Sequence, residues 1–191
     1  MLKKLNFINL AAFFYFIFLY NAQANFKKDI IIKFEKTETL SFDFTQKIEQ
    51  KIEVGNCQIK YPLLMKCYYP KSKKIIIANG KFLAIVKKKY KKVYIYPLEK
   101  TPLFFLLKKE NIINMIKNNE PTEIDSSTIG YELTENDLYK VKILFDKNSL
   151  DIIAWMTTDS YSNEVIFAIE NIKTNLLMEK EQFIIPQEKD L

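Results

Sequence analysis

The chain has 191 residues, with 29 basic and 23 acidic groups and a net charge of +6; every basic group is a lysine, because histidine and arginine are both absent. Without histidine there is no Ser-His or Cys-His pair, the commonest zinc ligand is missing, and so is the usual general base near neutral pH. Scattered lysines without a recognised nucleic-acid module argue for a solvated surface and against a nucleic-acid partner. No cofactor and no metal are expected.

Lys3 and Lys4 precede an uncharged, largely apolar run over residues 5–20, followed by Asn21-Ala22-Gln23-Ala24. This is the order of a secretory signal peptide: a charged region, an apolar region and an A-x-A cleavage site. The run is shorter than the roughly 20 apolar residues a helix needs to span a bilayer. Residues 1–24 are therefore expected to be removed after Ala24, leaving residues 25–191 as one domain with 27 lysines against 23 acidic residues, +4. No cysteine stands at the cleavage point, so no lipid anchor is expected. The mature protein is expected to work outside the cytoplasm.

From Leu40 the even positions read Leu40, Phe42, Phe44, Gln46, Ile48, Gln50, Ile52 and Val54, against polar residues at every odd position between. A period of two sustained over residues 40–54 predicts one long strand with a buried face, fitting a strongly curved sheet or a barrel wall. Gly55-Asn56 is expected to interrupt it. A hairpin follows, residues 57–61 returning through Pro62-Leu63 into residues 65–69. Pairing Lys60 opposite Leu64 would set Cys57 directly across from Cys67. In an oxidising compartment the two can form a disulfide, or they can remain buried thiols acting as small hydrophobes.

Residues 74–78, the turn Asn79-Gly80 and residues 81–86 predict a second hairpin. Lysines 87, 88, 89, 91 and 92 then flank Tyr90 before a strand at 93–96. The cluster reads either as a solvated hairpin end that protects an edge, or as a docking patch for an acidic partner or anionic headgroups. Thr101-Pro102 is a helix start, with an N-cap residue and proline at the first position. Leu103, Phe104, Phe105, Leu106 and Leu107 follow, and such a run must be covered over most of its circumference. Residues 111–117 form a second short helix carrying Ile112, Ile113, Met115 and Ile116. The rest predicts hairpins: residues 130–133, 138–145, 150–157 and 164–171, separated by turns. The fold class is thus mainly β with short helices, one antiparallel sheet wrapped around helices, its concave face filled by side chains or ligand.

These residues together resemble the LolA family, the periplasmic carriers of outer-membrane lipoproteins. The resemblance is carried by Phe42-x-Phe44-Thr45-Gln46, Gly55, Lys60-Tyr61-Pro62, Asn79-Gly80, Tyr96-Pro97-Leu98 and Thr101-Pro102-Leu103 with Leu106-Leu107. It continues in Ile153-Ala154-Trp155 with Asp159, residues 165–171, and Phe183 with Pro186, which fall where the family's last strands would place them. It implies an open, incomplete β-barrel with a helical lid over a hydrophobic cavity for lipoprotein acyl chains. On this basis the lipid-binding cavity is expected at Phe42, Phe44, Ile48, Ile52, Ile59, Tyr61, Leu103, Phe104, Phe105, Leu107, Ile113 and Met115, with Trp155 in the core. The implied partners are lipoproteins, an inner-membrane lipoprotein-releasing ABC transporter, and an outer-membrane acceptor or the membrane itself. The carrier is expected to be a monomer and not an enzyme. The alternative is a lipid or glycolipid binding protein or sensor on the same scaffold. Many family members have arginine before the hairpin proline, where it helps hold the lid closed; Tyr61 stands there here, and its hydroxyl or Lys60 is the expected substitute.

Overall fold

A computed structural model describes residues 26–135, 139–159 and 162–191; the expected signal peptide, residues 1–24, lies outside them. Among the described residues, no helix is long and apolar enough to cross a membrane. The first element is a helix, α1 (residues 26–36), for which the sequence reading offers no counterpart. Its signal is there: Ile30 and Phe34, one turn apart, form the buried stripe of an amphipathic helix whose other positions are largely charged.

The strands are β1 (Thr39–Ile48), β2 (Lys51–Lys60), β3 (Leu64–Tyr69), β4 (Lys74–Asn79), β5 (Phe82–Lys87), β6 (Lys92–Pro97), β7 (Thr122–Glu123), β8 (Thr128–Glu135), β9 (Tyr139–Asp146), β10 (Ile152–Thr158) and β11 (Glu164–Thr174). They make one antiparallel sheet in the order β6-β5-β4-β3-β2-β1-β11-β10-β9-β8-β7. Each half is a meander of sequential hairpins, and the halves are joined by the pairing of β1 with β11. The sheet does not close into a barrel. Its edges are β6 and β7, and the chain passes from one to the other through α2 (Pro102–Leu107) and α3 (Lys109–Asn118). This is the antiparallel sheet with short helices that the sequence predicts, open as the resemblance implies.

The expected single strand over residues 40–54 is instead two strands joined by a tight turn at Glu49-Gln50, with Glu49 in the left-handed region at φ 52°. Ile48 pairs with Lys51, so even positions of β1 face odd positions of β2: Leu40 opposite Ile59, Phe42 opposite Cys57, Phe44 opposite Gly55. A two-residue turn keeps the alternation running in the sequence while exchanging which parity points inward. Ile52 and Val54 consequently lie on the outer face, 57% and 51% exposed.

Gly55 does not interrupt the strand either; it sits inside β2 because no side chain fits. A Cβ there would lie 2.1 Å from the Tyr68 carbonyl oxygen and 2.6 Å from the Phe44 ring. The next turn follows the expected register, with Lys60 opposite Leu64 and Cys57 opposite Cys67. The cysteine Cα atoms are 4.0 Å apart and the sulfurs are bonded.

After β11 there is no further strand. Residues 175–191 run over the outer face of the β3–β5 region through a 3-10 turn at Lys180–Phe183. Met178 and Phe183 are buried there, and Ile185 and Leu191 pack on Ile77, Ala84 and Val86. Phe183 and Pro186 thus belong to a covering tail and not to last strands, as the resemblance suggested. The main core lies on the opposite, concave face, between the sheet and the three helices.

Candidate functional site

The site is the concave face beneath α2 and α3. Pro102 occupies the first turn of α2, as the sequence predicts, but the Thr101 hydroxyl donates to the Leu98 carbonyl at 2.8 Å and leaves the helix without a side-chain cap. Helical spacing then divides the apolar run. Leu103, Leu106 and Leu107, at i, i+3 and i+4, face inward. Phe104 and Phe105 are half-buried and pack against the main core without lining the cavity, and the Lys108 ammonium lies 5.8 Å from the centre of the Phe104 ring.

The lid contributes Leu103, Leu106, Leu107 and, from α3, Ile112 to a small apolar cavity. The first meander supplies Leu40, Ile59, Tyr61 and Met65, and the second Ile143, Ile152, Trp155 and Ile169. No lining residue is charged. The free space is about 10 Å³, room for about one water molecule, so the lid side chains fill the cavity themselves.

Of the cavity residues expected from sequence, Ile59, Tyr61, Leu103 and Leu107 line it. Phe42 and Phe44 lie beside it in an aromatic floor. Phe44 stacks on Phe167 at 4.3 Å, Trp155 stacks on Phe167 at 4.4 Å, and Phe42 meets Trp155 edge-on at 5.9 Å. Trp155 is therefore both a core residue and part of the wall. Ile113 and Met115 are buried on α3 without reaching the cavity, and Ile48 is half-buried at the far end of β1. Ile52 points outward for the parity reason given above. Leu40, Met65, Leu106, Ile112, Ile143, Ile152 and Ile169 complete the wall; Leu106 belongs to the run 103–107 that the resemblance assigns to lid and cavity wall, and the other six were missing from the expected set. Leu106 and Ile112 follow from helical spacing, whereas the strand residues depend on which strands end up opposite the lid.

Several bonds hold the lid down. The Leu63 amide, in the β2–β3 turn, donates to the Leu107 carbonyl at 2.9 Å. Lys109 Nζ donates to the Glu35 carbonyl of α1 at 3.1 Å, and Lys27 Nζ of α1 to the Asn119 carbonyl at 3.1 Å. Lys33 pairs with Asp151 at 2.7 Å, fixing α1 to the β9–β10 turn. Tyr61 sits under this cluster, its ring edge-on to Phe34 at 5.5 Å and 5.6 Å from the Lys109 ammonium. Burial pushes the Tyr61 hydroxyl well above its ordinary range, so it stays neutral at physiological pH. Lys60 plays no part at the lid; its ammonium donates to the Met178 carbonyl of the outer tail.

An open antiparallel sheet whose concave face is roofed by short helices around a wholly uncharged cavity defines a binding scaffold for apolar ligands. The profile of the family described as outer membrane lipoprotein carrier protein LolA matches residues 35–186, and the chain belongs to the LolA family. Curated proteins include no significant match. Solved structures with similar topology include the LolA superfamily protein NE2245 from Nitrosomonas europaea (12% identity, 83% of this chain and 97% of that one, TM-score 0.43). A putative outer membrane lipoprotein-sorting protein domain from Vibrio parahaemolyticus (7%, 85% and 96%, TM-score 0.47) and LprF from Mycobacterium bovis (8%, 83% and 96%, TM-score 0.48) are similar at the same level.

Proposed function

We propose that the protein is a periplasmic carrier that takes acylated lipoproteins from the inner to the outer membrane by enclosing their acyl chains beneath α2 and α3. The observation that carries this reading is an uncharged cavity already filled by its own lid. Exposing an acyl chain to water costs about 0.8 kcal/mol per methylene, so a lipoprotein needs a cover to cross an aqueous gap. Lifting Leu106 and Leu107, both buried, costs about 1.5–3 kcal/mol each. Roughly four to eight buried methylenes offset that cost, and a long acyl chain has more. The self-filled cavity thus attenuates affinity, as a carrier that must release its load requires. An inner-membrane ABC transporter would load it, and an outer-membrane acceptor or the membrane itself would receive the cargo. No covalent chemistry is needed.

The test is to add the purified chain, without residues 1–24, to spheroplasts and probe the soluble fraction for lipoproteins bound to it. Release in a one-to-one complex is the expected result. Absence of release, with phospholipid or glycolipid found in the purified protein by mass spectrometry, would keep the cavity and overturn the assignment of its cargo.

A further inference from the structure

We propose that the β5–β6 hairpin end is a membrane-docking element that seats on the surface of an anionic phospholipid bilayer. Lys87, Lys88, Lys89, Lys91 and Lys92 surround Tyr90 at this tip. A 3-10 turn at Lys88–Tyr90, closed by Lys91 in the left-handed region at φ 48°, forms the apex, on which Tyr90 is 63% exposed.

The register concentrates positive charge further. Lys74 lies opposite Lys87, and Lys87 opposite Lys92, placing like charges side by side across β4, β5 and β6. Such pairs destabilise a sheet unless something compensates. Lys74 is compensated by Glu53 at 3.0 Å and by the Tyr69 ring at 3.8 Å, and Lys92 by an exposed pairing with Glu188 at 3.4 Å. Lys87 meets only the Tyr94 ring, at 5.3 Å. Among the described residues, no carboxylate lies within salt-bridge distance of Lys87, Lys88, Lys89 or Lys91. Lys71 and Lys73, in the β3–β4 turn, stand at the same end of the sheet.

A tip built only for solubility needs lysines and no aromatic at its apex. Tyrosine between lysines suits the headgroup level of a bilayer, where the ring is half-immersed and the ammonium groups meet phosphates. Four ammonium groups without a carboxylate partner, spread around one exposed ring, match the many phosphates of a lipid surface better than the single charge of one peptide side chain. The lid lies at the other end of β6, about 20 Å away by strand rise, so docking leaves it free to open. The inference rests on this surface alone and stands apart from the identity of the cargo.

The test is co-sedimentation of the full mature chain with vesicles of phosphatidylcholine alone or with about one third phosphatidylglycerol. Binding is expected only to the anionic vesicles and is expected to fall as salt rises. Each lysine at such a surface is worth about fivefold in partition, so a Lys88→Gln, Lys89→Gln, Lys91→Gln triple variant should lose roughly a hundredfold. Tyr90→Ser should lose severalfold, and neither change should alter the thermal midpoint. A control triple, Lys28→Gln, Lys36→Gln and Lys117→Gln, removes the same charge from exposed positions on the helices and should bind like wild type. Equal losses in both triples would mean that net charge acts without a docking element and would overturn the proposal. So would equal binding to neutral and anionic vesicles, or no binding to either.

Discussion

Replacing Leu107 with alanine distinguishes a lid that competes with cargo from one that merely caps a core. Leu107 is fully buried and lines the cavity, while the bond it makes to Leu63 uses its backbone carbonyl and survives the substitution. Truncating a buried leucine costs about 2.7–5.0 kcal/mol through lost transfer energy and the void left behind. For a chain of this size that lowers the thermal midpoint by about 5–20 °C. The void opens beside the existing 10 Å³ space, so an entering acyl chain has less to displace. About three methylene equivalents are gained, worth about 2 kcal/mol, or roughly thirtyfold in affinity. Ile77→Ala is the control, since Ile77 is 2% exposed but belongs to the separate outer cluster under the C-terminal tail. Circular dichroism gives the midpoints, and displacement of a fluorescent fatty acid by a dipalmitoylated peptide gives the affinities. The reasoning fails if Leu107→Ala binds the peptide no more tightly than Ile77→Ala does.

Three further outcomes follow from the packing and charges of the first meander. Gly55→Ala must push a methyl into the Tyr68 carbonyl and the Phe44 ring, so urea unfolding should show a loss of about 1–3 kcal/mol; an unchanged midpoint would mean that β2 and β3 shift freely. Burial alone would raise the Glu53 pKa, but the Lys74 ammonium, Ser72 and Lys51 outweigh it and hold the carboxyl below its ordinary 4.5. A depressed folded pKa means that the unfolded chain binds the proton more readily, so this stabilisation is present above about pH 4.5 and is lost as pH falls through the folded value. The thermal midpoint of wild type should therefore drop more steeply below pH 4.5 than that of Glu53→Gln, and parallel curves would exclude Glu53 as a source of acid sensitivity. Replacing both Cys57 and Cys67 by alanine should cost roughly 3 kcal/mol from the loop they close, and the wild-type chain unfolded without reductant should take up no thiol reagent; labelling of both would show free cysteines.

What the sequence revealed and what it hid divide along a physical line. Hairpins with their own turn chemistry were legible: Asn79-Gly80 closes β4–β5, and Tyr61-Pro62-Leu63 closes β2–β3 in the expected register. Alternation was legible as strand but not as face, because the turn at Glu49-Gln50 carries no glycine or proline and leaves the period of two intact. That single turn misassigned Ile52. The run over residues 103–107 announced a covered helix, and applying the helical period within it would have separated Leu103, Leu106 and Leu107 from Phe104 and Phe105. The far wall could not be read at all. Ile143, Ile152 and Ile169 face the lid only because β1 pairs with β11, a contact between the two ends of the sheet's sequence on which local patterning is silent.

The same long-range pairing bears on how the lid can open. Tyr61 precedes the hairpin proline, and a neutral, largely buried phenol offers no charge with which to clamp a helix. Fastening passes instead to the Leu63–Leu107 backbone bond and to lysines that donate to carbonyls of α1 and of the residue after α3. None of these bonds is part of the sheet. Because β1 and β11 alone join the two meanders, and α2 and α3 merely connect the outer edges, lifting the lid breaks no strand pairing. Its cost lies in exposed leucine and isoleucine side chains, together with hydrogen bonds worth about 0.5–1.5 kcal/mol each. On the proposed carrier reading, that cost is of the kind an entering acyl chain would restore, by burying its own methylenes against the walls the lid has left.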